Sequence, residues 1–291
     1  MDTRGLGPEG LVSSTIALGT AAFTGVYGAV STRDCIRVID VALDSGISLL
    51  DTADFYADGD IERLLGASVG ARRPRLLMST HGGLRIGRDG SPSIVDGRPD
   101  YLVQACEASL RRLGTDYIDL YYLSRVDPRV PVEESVGRLA ELVAAGKIRH
   151  LGLYQASPDD LRRATAVHPI SVQAVDYSLR DRAVEKGILV TAAELGVGVV
   201  AYRPLAQGLL AGATPRSCSA KVRRALHILE AEAAGLDIGM ARLALAWLAR
   251  CRNVVPAPSS HNPAHLEMDA SAAGIRLPAD VCARLDGVFA P

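Results

Sequence analysis

The chain has little of what marks several classes of protein. Aromatic side chains make up 4% of its 291 residues, and 32 basic residues almost balance 33 acidic ones, which leaves a formal net charge of −1. There is no block of like charge, so we expect neither a nucleic-acid partner nor an anionic membrane surface. No apolar run approaches the ~18 residues of a membrane span, and the N-terminus lacks a signal-peptide pattern. We therefore expect a cytoplasmic protein.

Cysteine is also scarce, and its distribution argues against two kinds of site. The five cysteines are Cys35, Cys106, Cys218, Cys251 and Cys282. An odd number without a C-x-x-C pair is atypical of a disulfide framework or a thiolate zinc site. Four histidines lack the i, i+4 spacing of a zinc pair, and we interpret them as surface or packing residues: His150, His168, His227 and His265. We predict no metal site.

Hydrophobic residues are plentiful, at 48%, and their pattern predicts the fold. Short apolar runs typical of strands occupy 16–19, 47–50, 76–80, 118–123, 150–153, 171–175, 197–202 and 254–256. Segments with helical spacing occupy 33–45, 61–69, 100–113, 132–145, 158–166, 183–195, 239–250 and 263–270. Eight alternating units favour a parallel sheet covered by helices and closed on itself. We predict an α/β protein with one (β/α)8 TIM barrel domain over residues 1–291.

A glycine-rich stretch near the N-terminus has two interpretations. Residues 5–10, GLGPEG, match the G-x-G-x-x-G pattern of dinucleotide-binding loops. No strand precedes them, and Pro8 removes a backbone donor from the loop, so we reject that interpretation. We predict instead a tight turn between two short strands, a β-hairpin that closes the bottom of the barrel.

Polar or titratable residues follow nearly every predicted strand. Barrels of this kind carry their chemistry at the C-terminal ends of the strands. The residues there are Asp51, His81, Ser124, Tyr154, the stretch 174–176, Tyr202, Arg203 and the stretch 259–261. We predict a pocket for a small-molecule substrate at this end.

Several motifs resemble the aldo-keto reductase superfamily. They are LLDTADFY at 49–56, ACEASLRRLGTDYIDLYYL at 105–123, RVDP at 125–128, AGKIRHLGL at 145–153, AYRPLAQGLLAG at 201–212 and ALAWL at 244–248. The resemblance runs the length of the chain in consistent order. It implies a (β/α)8 barrel that uses NADPH to reduce carbonyls through an Asp, Tyr, Lys and His tetrad.

Only half of that tetrad is present. Asp51 and Tyr56 match the family pattern, whereas His81 stands at the lysine position and Ser124 at the histidine position. The resemblance implies that the lysine lowers the pKa of the tyrosine, so that the phenol can protonate a carbonyl. Without that lysine, Tyr56 is expected to be a poorer acid.

The positions that the resemblance assigns to the cofactor are altered too. Tyr154 and Gln155 replace a serine followed by an amide or acid, and Arg203 replaces the serine after the stacking tyrosine, Tyr202. The sixth strand has Ala174 at the family's glutamine position, and the shift by one turns Gln173 to the opposite face. The pattern that the resemblance assigns to the 2′-phosphate of the cofactor has also changed. If NADPH binds, we expect contacts from Tyr202, Gln155, Ser259 and His261.

These changes favour an enzyme that has lost reduction and needs no cofactor. In this hypothesis Asp51 orients His81 as a general base, Tyr56 is the acid, and the reaction is a dehydration, isomerisation or cyclisation of a small carbonyl or hydroxyl compound. The expected context is secondary metabolism. The residues expected to bind substrate are Ser124, Tyr154, Tyr202 and Arg203. We expect the Arg203 guanidinium to be buried and to pair with Asp51 or Asp176.

Two alternatives remain open. One is an NADPH-dependent aldo-keto reductase with a modified tetrad, and the other is a non-catalytic binding barrel. Binding of the cofactor distinguishes the first from the rest. The expected assembly is a monomer or a small homo-oligomer.

Overall fold

The computed structural model describes residues 1–86, 93–213 and 218–289. In chain order the strands are β1 (Thr3–Leu6), β2 (Leu11–Ser14), β3 (Leu18–Gly19), β4 (Leu49–Asp51), β5 (Leu77–Gly82), β6 (Leu84–Arg85), β7 (Ile94–Val95), β8 (Ile118–Leu123), β9 (Ile148–Tyr154), β10 (Ile170–Asp176), β11 (Gly198–Tyr202) and β12 (Val254–Ala257). The α-helices are α1 (Thr32–Asp44), α2 (Asp60–Val69), α3 (Pro99–Leu113), α4 (Val132–Ala144), α5 (Pro158–Val167), α6 (Ile188–Glu194), α7 (Ala220–Gly235), α8 (Met240–Ala249), α9 (Pro263–Ser271) and α10 (Ala279–Val288).

Eight parallel strands form the predicted barrel. Their order is β12-β11-β10-β9-β8-β5-β4-β3, and each predicted apolar run overlaps one of them. The backbone N–H groups of Ala17 and Gly19 donate to the carbonyls of Pro256 and Pro258, at 3.0 and 2.9 Å. These two hydrogen bonds join the first strand to the last, so the sheet closes on itself.

Alternate residues along each strand face two different cores. On β10, Val172 and Ala174 pack in the cluster inside the barrel, whereas Val175 packs in the larger cluster between strands and helices. Gln173 lies between two inward-facing residues and is fully buried. Because side chains alternate along a strand, Gln173 points away from the barrel interior, as predicted.

The N-terminal hairpin closes the bottom of the barrel. Strands β1 and β2 pair antiparallel, and the turn between them contains Gly7 and Gly10, both with positive φ (74° and 76°). A Cβ on Gly7 would lie 2.4 Å from the carbonyl oxygen of Ser171, at the start of β10. Leu6 is buried against Gly198, at the start of β11. The glycine-rich stretch is therefore a plug and not a phosphate-binding loop.

Eight helices coincide with the predicted helical segments. Two further helices fall outside the predicted alternation of strands and helices. Helices α7 and α10 were not predicted, and they pack together through an ion pair between Arg284 and Glu232. The predicted helix over 183–195 is a 3₁₀ turn followed by α6, with Gly187 between them. Within the described parts of the chain, no helix combines the length and apolar character needed to cross a membrane.

Candidate active site

Strand ends bring the predicted site residues to one edge of the barrel. Asp51 ends β4 and pairs with Ser79 on β5, and His81 lies two residues further along that strand. Tyr154 ends β9, and Tyr202 ends β11. In a parallel barrel the C-terminal strand ends share one face, so the sequence brings these side chains together through register alone.

A cavity of about 1350 Å³ opens at this edge. Near the strand ends it is lined by Asp51, Phe55, Tyr56, His81, Ser124, Tyr154, Gln155, Tyr202 and Arg203. It continues to a second region, here called the distal arm, that is lined by Arg242, Ser259, Ser260, His261, His265 and Asp269. Pockets for small molecules usually measure about 300–1,000 Å³, so this one has room for more than a small substrate.

Asp51 and His81 are neighbours without a hydrogen bond between them. The Nε2 atom of His81 lies 3.8 Å from Oδ1 of Asp51, beyond hydrogen-bond distance. That carboxylate oxygen instead accepts a hydrogen bond from the hydroxyl of Ser79. The hydrogen bond by which Asp51 was predicted to orient His81 is therefore not formed. Ser79, on the same strand as His81, lies nearer to the Asp51 carboxylate and bonds to it instead.

The His81 imidazole is enclosed by aromatic rings. Its side chain is 4% exposed, and its ring centroid lies 4.8 Å from that of Tyr122 and 4.7 Å from that of Tyr154. Its Nδ1 atom is buried without a hydrogen-bond partner among the described residues. Buried polar atoms are normally paired, so this nitrogen is an unsatisfied group beside the cavity that His81 lines.

Tyr56 lies in the turn after β4 and is partly buried. Burial, and next the nearby Asp51 carboxylate, raise the pKa of its hydroxyl above the ordinary value. Arg203 acts in the opposite direction but does not reverse the shift. The phenol is therefore protonated at neutral pH and acts as a hydrogen-bond donor.

Ser124 adds a second polar atom that is buried and unsatisfied. Its backbone N–H donates to the carbonyl of Gly82 at 2.8 Å, which fixes the residue at the end of β8. The residue is 2% exposed, and its hydroxyl has no partner among the described residues. Ser124 and His81 thus both present unpaired polar atoms beside the cavity.

Tyr154 and Tyr202 are stacked. Their ring centroids are 4.6 Å apart and their planes differ by 14°. The side-chain amide of Gln155 donates to the Tyr202 hydroxyl. The Gln155 amide that was expected to face a cofactor therefore holds Tyr202 in place.

Arg203 is exposed and not buried as expected. Its side chain is 50% exposed, and Nη1 donates to Oδ2 of Asp176 at 3.2 Å. Of the two predicted partners, Asp176 is the one it contacts. A left-handed backbone (φ 51°) directs Arg203 along the rim of the cavity.

The distal arm contains polar groups on Arg242 and Asp269 that the sequence did not indicate, beside the predicted Ser259. The Nε atom of Arg242 is buried without a partner among the described residues. Asp269 is 4% exposed, and burial raises its pKa to about 7. Ser259 accepts a 2.7 Å hydrogen bond from the backbone of Ala22. His265, interpreted from sequence as a surface or packing residue, lines the cavity.

Comparisons with known proteins give the family. The model described as "Aldo/keto reductase family" matches residues 15–290. A protein of Glycine max named "Probable aldo-keto reductase 1" is 36% identical over 94% of this chain and 84% of its own length. The chain belongs to the aldo/keto reductase family.

Two solved structures of this family are similar over almost their whole length. The glycerol dehydrogenase AKR11B4 from Gluconobacter oxydans has a TM-score of 0.90 and 27% identity, covering 99% of this chain and 95% of that one. The aldo-keto reductase AKR11C1 from Bacillus halodurans, in its holo form, has a TM-score of 0.88 and 27% identity, covering 99% and 96%. The resemblance seen in the sequence is confirmed.

These findings overturn the favoured function. Reductases and dehydrogenases transfer reducing equivalents, whereas the sequence favoured a non-redox dehydratase, isomerase or cyclase without a cofactor. That interpretation and the prediction of no cofactor are wrong. Replacement of Lys and His by His81 and Ser124 was given too much weight, because a protonated Tyr56 in a large cavity is compatible with reduction.

The cavity of this aldo-keto reductase fits a nicotinamide dinucleotide. Its distal arm offers the Nε of Arg242, which has no partner among the described residues, and the start of α9, both suited to phosphate oxygens. Tyr202 supplies a planar surface at the other end. The Tyr154 ring is stacked on Tyr202, so it must move before a nicotinamide ring can stack on the same face. Among the described residues, no cluster of three metal-ligating side chains occurs.

Proposed function

We propose that the chain is an NAD(P)H-dependent oxidoreductase that interconverts a small carbonyl compound and its alcohol. The observation that carries the proposal is the protonated, partly buried Tyr56 hydroxyl beside a cavity large enough for a dinucleotide and a substrate. Membership of the aldo/keto reductase family supports it. When bound, the nicotinamide supplies the hydride that the carbonyl carbon receives.

Tyr56 supplies the proton. At neutral pH the phenol is protonated and can donate to the carbonyl oxygen as negative charge develops there, but its raised pKa makes it the poorer acid that the sequence predicts. The products of the reduction are the alcohol, the oxidised nucleotide NAD(P)+ and the tyrosinate, which regains its proton from water. Asp51 lies close enough to raise the pKa of Tyr56, and in our proposal it keeps the phenol in its acid form.

His81 and Ser124 hold the substrate oxygen. Both are buried at the cavity with a polar atom that has no partner in the described part of the chain, and a carbonyl oxygen would satisfy a proton on His81 Nδ1 or on the Ser124 hydroxyl. Arg203 lies at the rim, where Asp176 restrains it, and we propose that it contacts polar groups of the substrate. Tyr202, Ser259 and His261 are proposed to contact the cofactor, with Gln155 positioning Tyr202.

The test follows the absorbance of reduced nicotinamide with a panel of small aldehydes and ketones, starting with three-carbon hydroxycarbonyls because one relative is named a glycerol dehydrogenase. Tyr56→Phe should lower kcat by about 100- to 10,000-fold. Tyr117→Phe removes a phenol that lies before strand β8, away from the residues lining the cavity, and should change kcat little. If no carbonyl is reduced and neither nucleotide binds, the proposal is wrong.

Four further statements belong to the proposed function. We propose that residues 1–291 act as one barrel domain, that the ligand is a small molecule and not a nucleic acid or membrane, that the protein is cytoplasmic, and that it is a monomer or a small homo-oligomer. Light scattering of the purified chain tests the last of these directly.

A further inference from the structure

We propose that Tyr154 limits the affinity for the nicotinamide nucleotide by covering the ring of Tyr202 until the nucleotide displaces it. The inference rests on the proposed function. It assigns a nucleotide-binding determinant to a residue whose type differs from the serine that the family resemblance implies at this position.

The geometry of the pair carries the argument. With centroids 4.6 Å apart and planes within 14°, the two rings are in direct contact, so one face of Tyr202 is covered. A third ring placed between them would need about twice that separation. A planar nicotinamide can therefore use this face only after Tyr154 leaves it.

The two tyrosines are held differently. Tyr202 is fixed through its hydroxyl, which accepts from the Gln155 amide, and it pairs with Asp176 and Ala257 in the sheet. The backbone at Tyr154 is fixed too, since Gln155 N–H donates to the carbonyl of Ala174 at 2.9 Å. Displacement is therefore a rotation of the Tyr154 side chain, with the strand left in place.

Space and contacts favour such a rotation. Tyr154 is only partly buried and borders a cavity of about 1350 Å³, which offers room for a displaced ring. Its ring also contacts His81, with centroids 4.7 Å apart, so both contacts are exchanged for new ones when it moves. Two aromatic rings in contact stabilise each other by more than the burial of their surface accounts for. That extra stabilisation corresponds to about a 2- to 10-fold change in a binding constant.

The experiment compares nucleotide binding by the full chain and three variants, using the fluorescence of reduced nicotinamide. Tyr154→Ser removes the ring, Tyr154→Leu removes it while retaining apolar bulk, and Tyr154→Phe retains the ring. We expect the Ser and Leu variants to bind NADPH and NADH about 2- to 10-fold more tightly than wild type. Tyr154→Phe should remain closer to wild type than to Tyr154→Ser.

A fragment without the nicotinamide gives a second readout. ADP-ribose and adenosine 2′,5′-bisphosphate contain only the part of the nucleotide that the distal arm would bind. Calorimetry should give the same affinity for these fragments in wild type and all three variants. Should Tyr154→Ser not fold, Tyr154→Leu makes the same comparison, with thermal melting as the check.

Each outcome has a defined meaning. If wild type binds the nucleotides and removing the ring leaves the affinity unchanged or weaker, the role of Tyr154 is refuted while the proposed function stands. The same conclusion follows if fragment binding tightens as much as nucleotide binding. If neither wild type nor any variant binds nucleotide or fragment, the proposed function fails and this inference fails with it.

Discussion

Thr80 donates a 2.7 Å hydrogen bond to Oε1 of Glu62, which ties helix α2 to strand β5 one residue before His81. Glu62 is completely buried, and its other oxygen accepts from Nε of Arg112 on helix α3. A carboxylate in this position is tolerable only because both of its oxygens are paired.

The stability of the protein should therefore depend on Arg112. Arg112→Met leaves the Glu62 charge buried without its cation and should lower the free energy of unfolding by about 3–5 kcal/mol. The double variant Glu62→Gln, Arg112→Met removes both charges, retains an acceptor for Thr80, and should recover most of that loss. Urea unfolding measures both. Equal losses in the single and double variants would contradict the argument.

The pH dependence of reduction follows from Tyr56. Its raised pKa keeps the phenol protonated beyond the usual value of about 10, so kcat/KM for carbonyl reduction should not fall on the alkaline side before that point. Alcohol oxidation needs the tyrosinate and should rise with pH over the same range, by up to about tenfold per unit. An alkaline decline of reduction between pH ~7 and ~9 would show that another group is the acid.

Asp269 should make stability depend on pH. Its pKa is about 7 in the folded protein, against about 3.9 when unfolded, so its contribution favours folding most below pH ~4 and is lost as pH rises to ~7. The asparagine of the Asp269→Asn variant does not titrate. The free energy of unfolding of this variant, relative to wild type, should therefore increase by up to ~4 kcal/mol between pH ~4 and ~7. Asp280→Asn, at a carboxyl whose pKa is lowered by its hydrogen bond with Arg284, should show no such increase, because that carboxyl is ionised throughout most of this range.

Arg242 should contribute to nucleotide affinity. Its unpaired Nε lies in the distal arm, where a charge-assisted hydrogen bond to a phosphate would contribute about 1.5–3 kcal/mol. Arg242→Gln should therefore weaken NADPH binding by about 10- to 100-fold in calorimetry. Arg252→Gln changes an exposed arginine that lines a different pocket, beside Arg4, and should have no effect. Comparable losses in both variants would indicate a general charge effect.

The barrel could be predicted from the sequence because its strands are buried on both faces. Such strands are continuous apolar runs, and all eight coincide with predicted ones. Helices α7 and α10 were missed for a physical reason. Their buried residues are few, three on α7 and two on α10, so the helical period in hydrophobicity is weak.

The site could be predicted only as far as strand register determines it. Register placed Asp51, His81 and Tyr202 at one edge, and alternation placed Gln173 on the other face. The Tyr154–Tyr202 stack and the loss of the Asp51–His81 hydrogen bond depend on rotamers and on competition from Ser79. A sequence pattern contains neither, and the favoured reaction was wrong because it inferred a loss of reduction from two replaced residues, whereas the relatives are reductases and dehydrogenases.

Closure of the barrel by hydrogen bonds from Ala17 and Gly19 to Pro256 and Pro258 has a consequence during synthesis. The seam joins the beginning of the chain to its end, so a ribosome has translated almost the whole protein before the last strand is available. Until then, the nascent sheet has two unpaired edges that can pair with other chains. The barrel can therefore close only after strand β12 has left the ribosome.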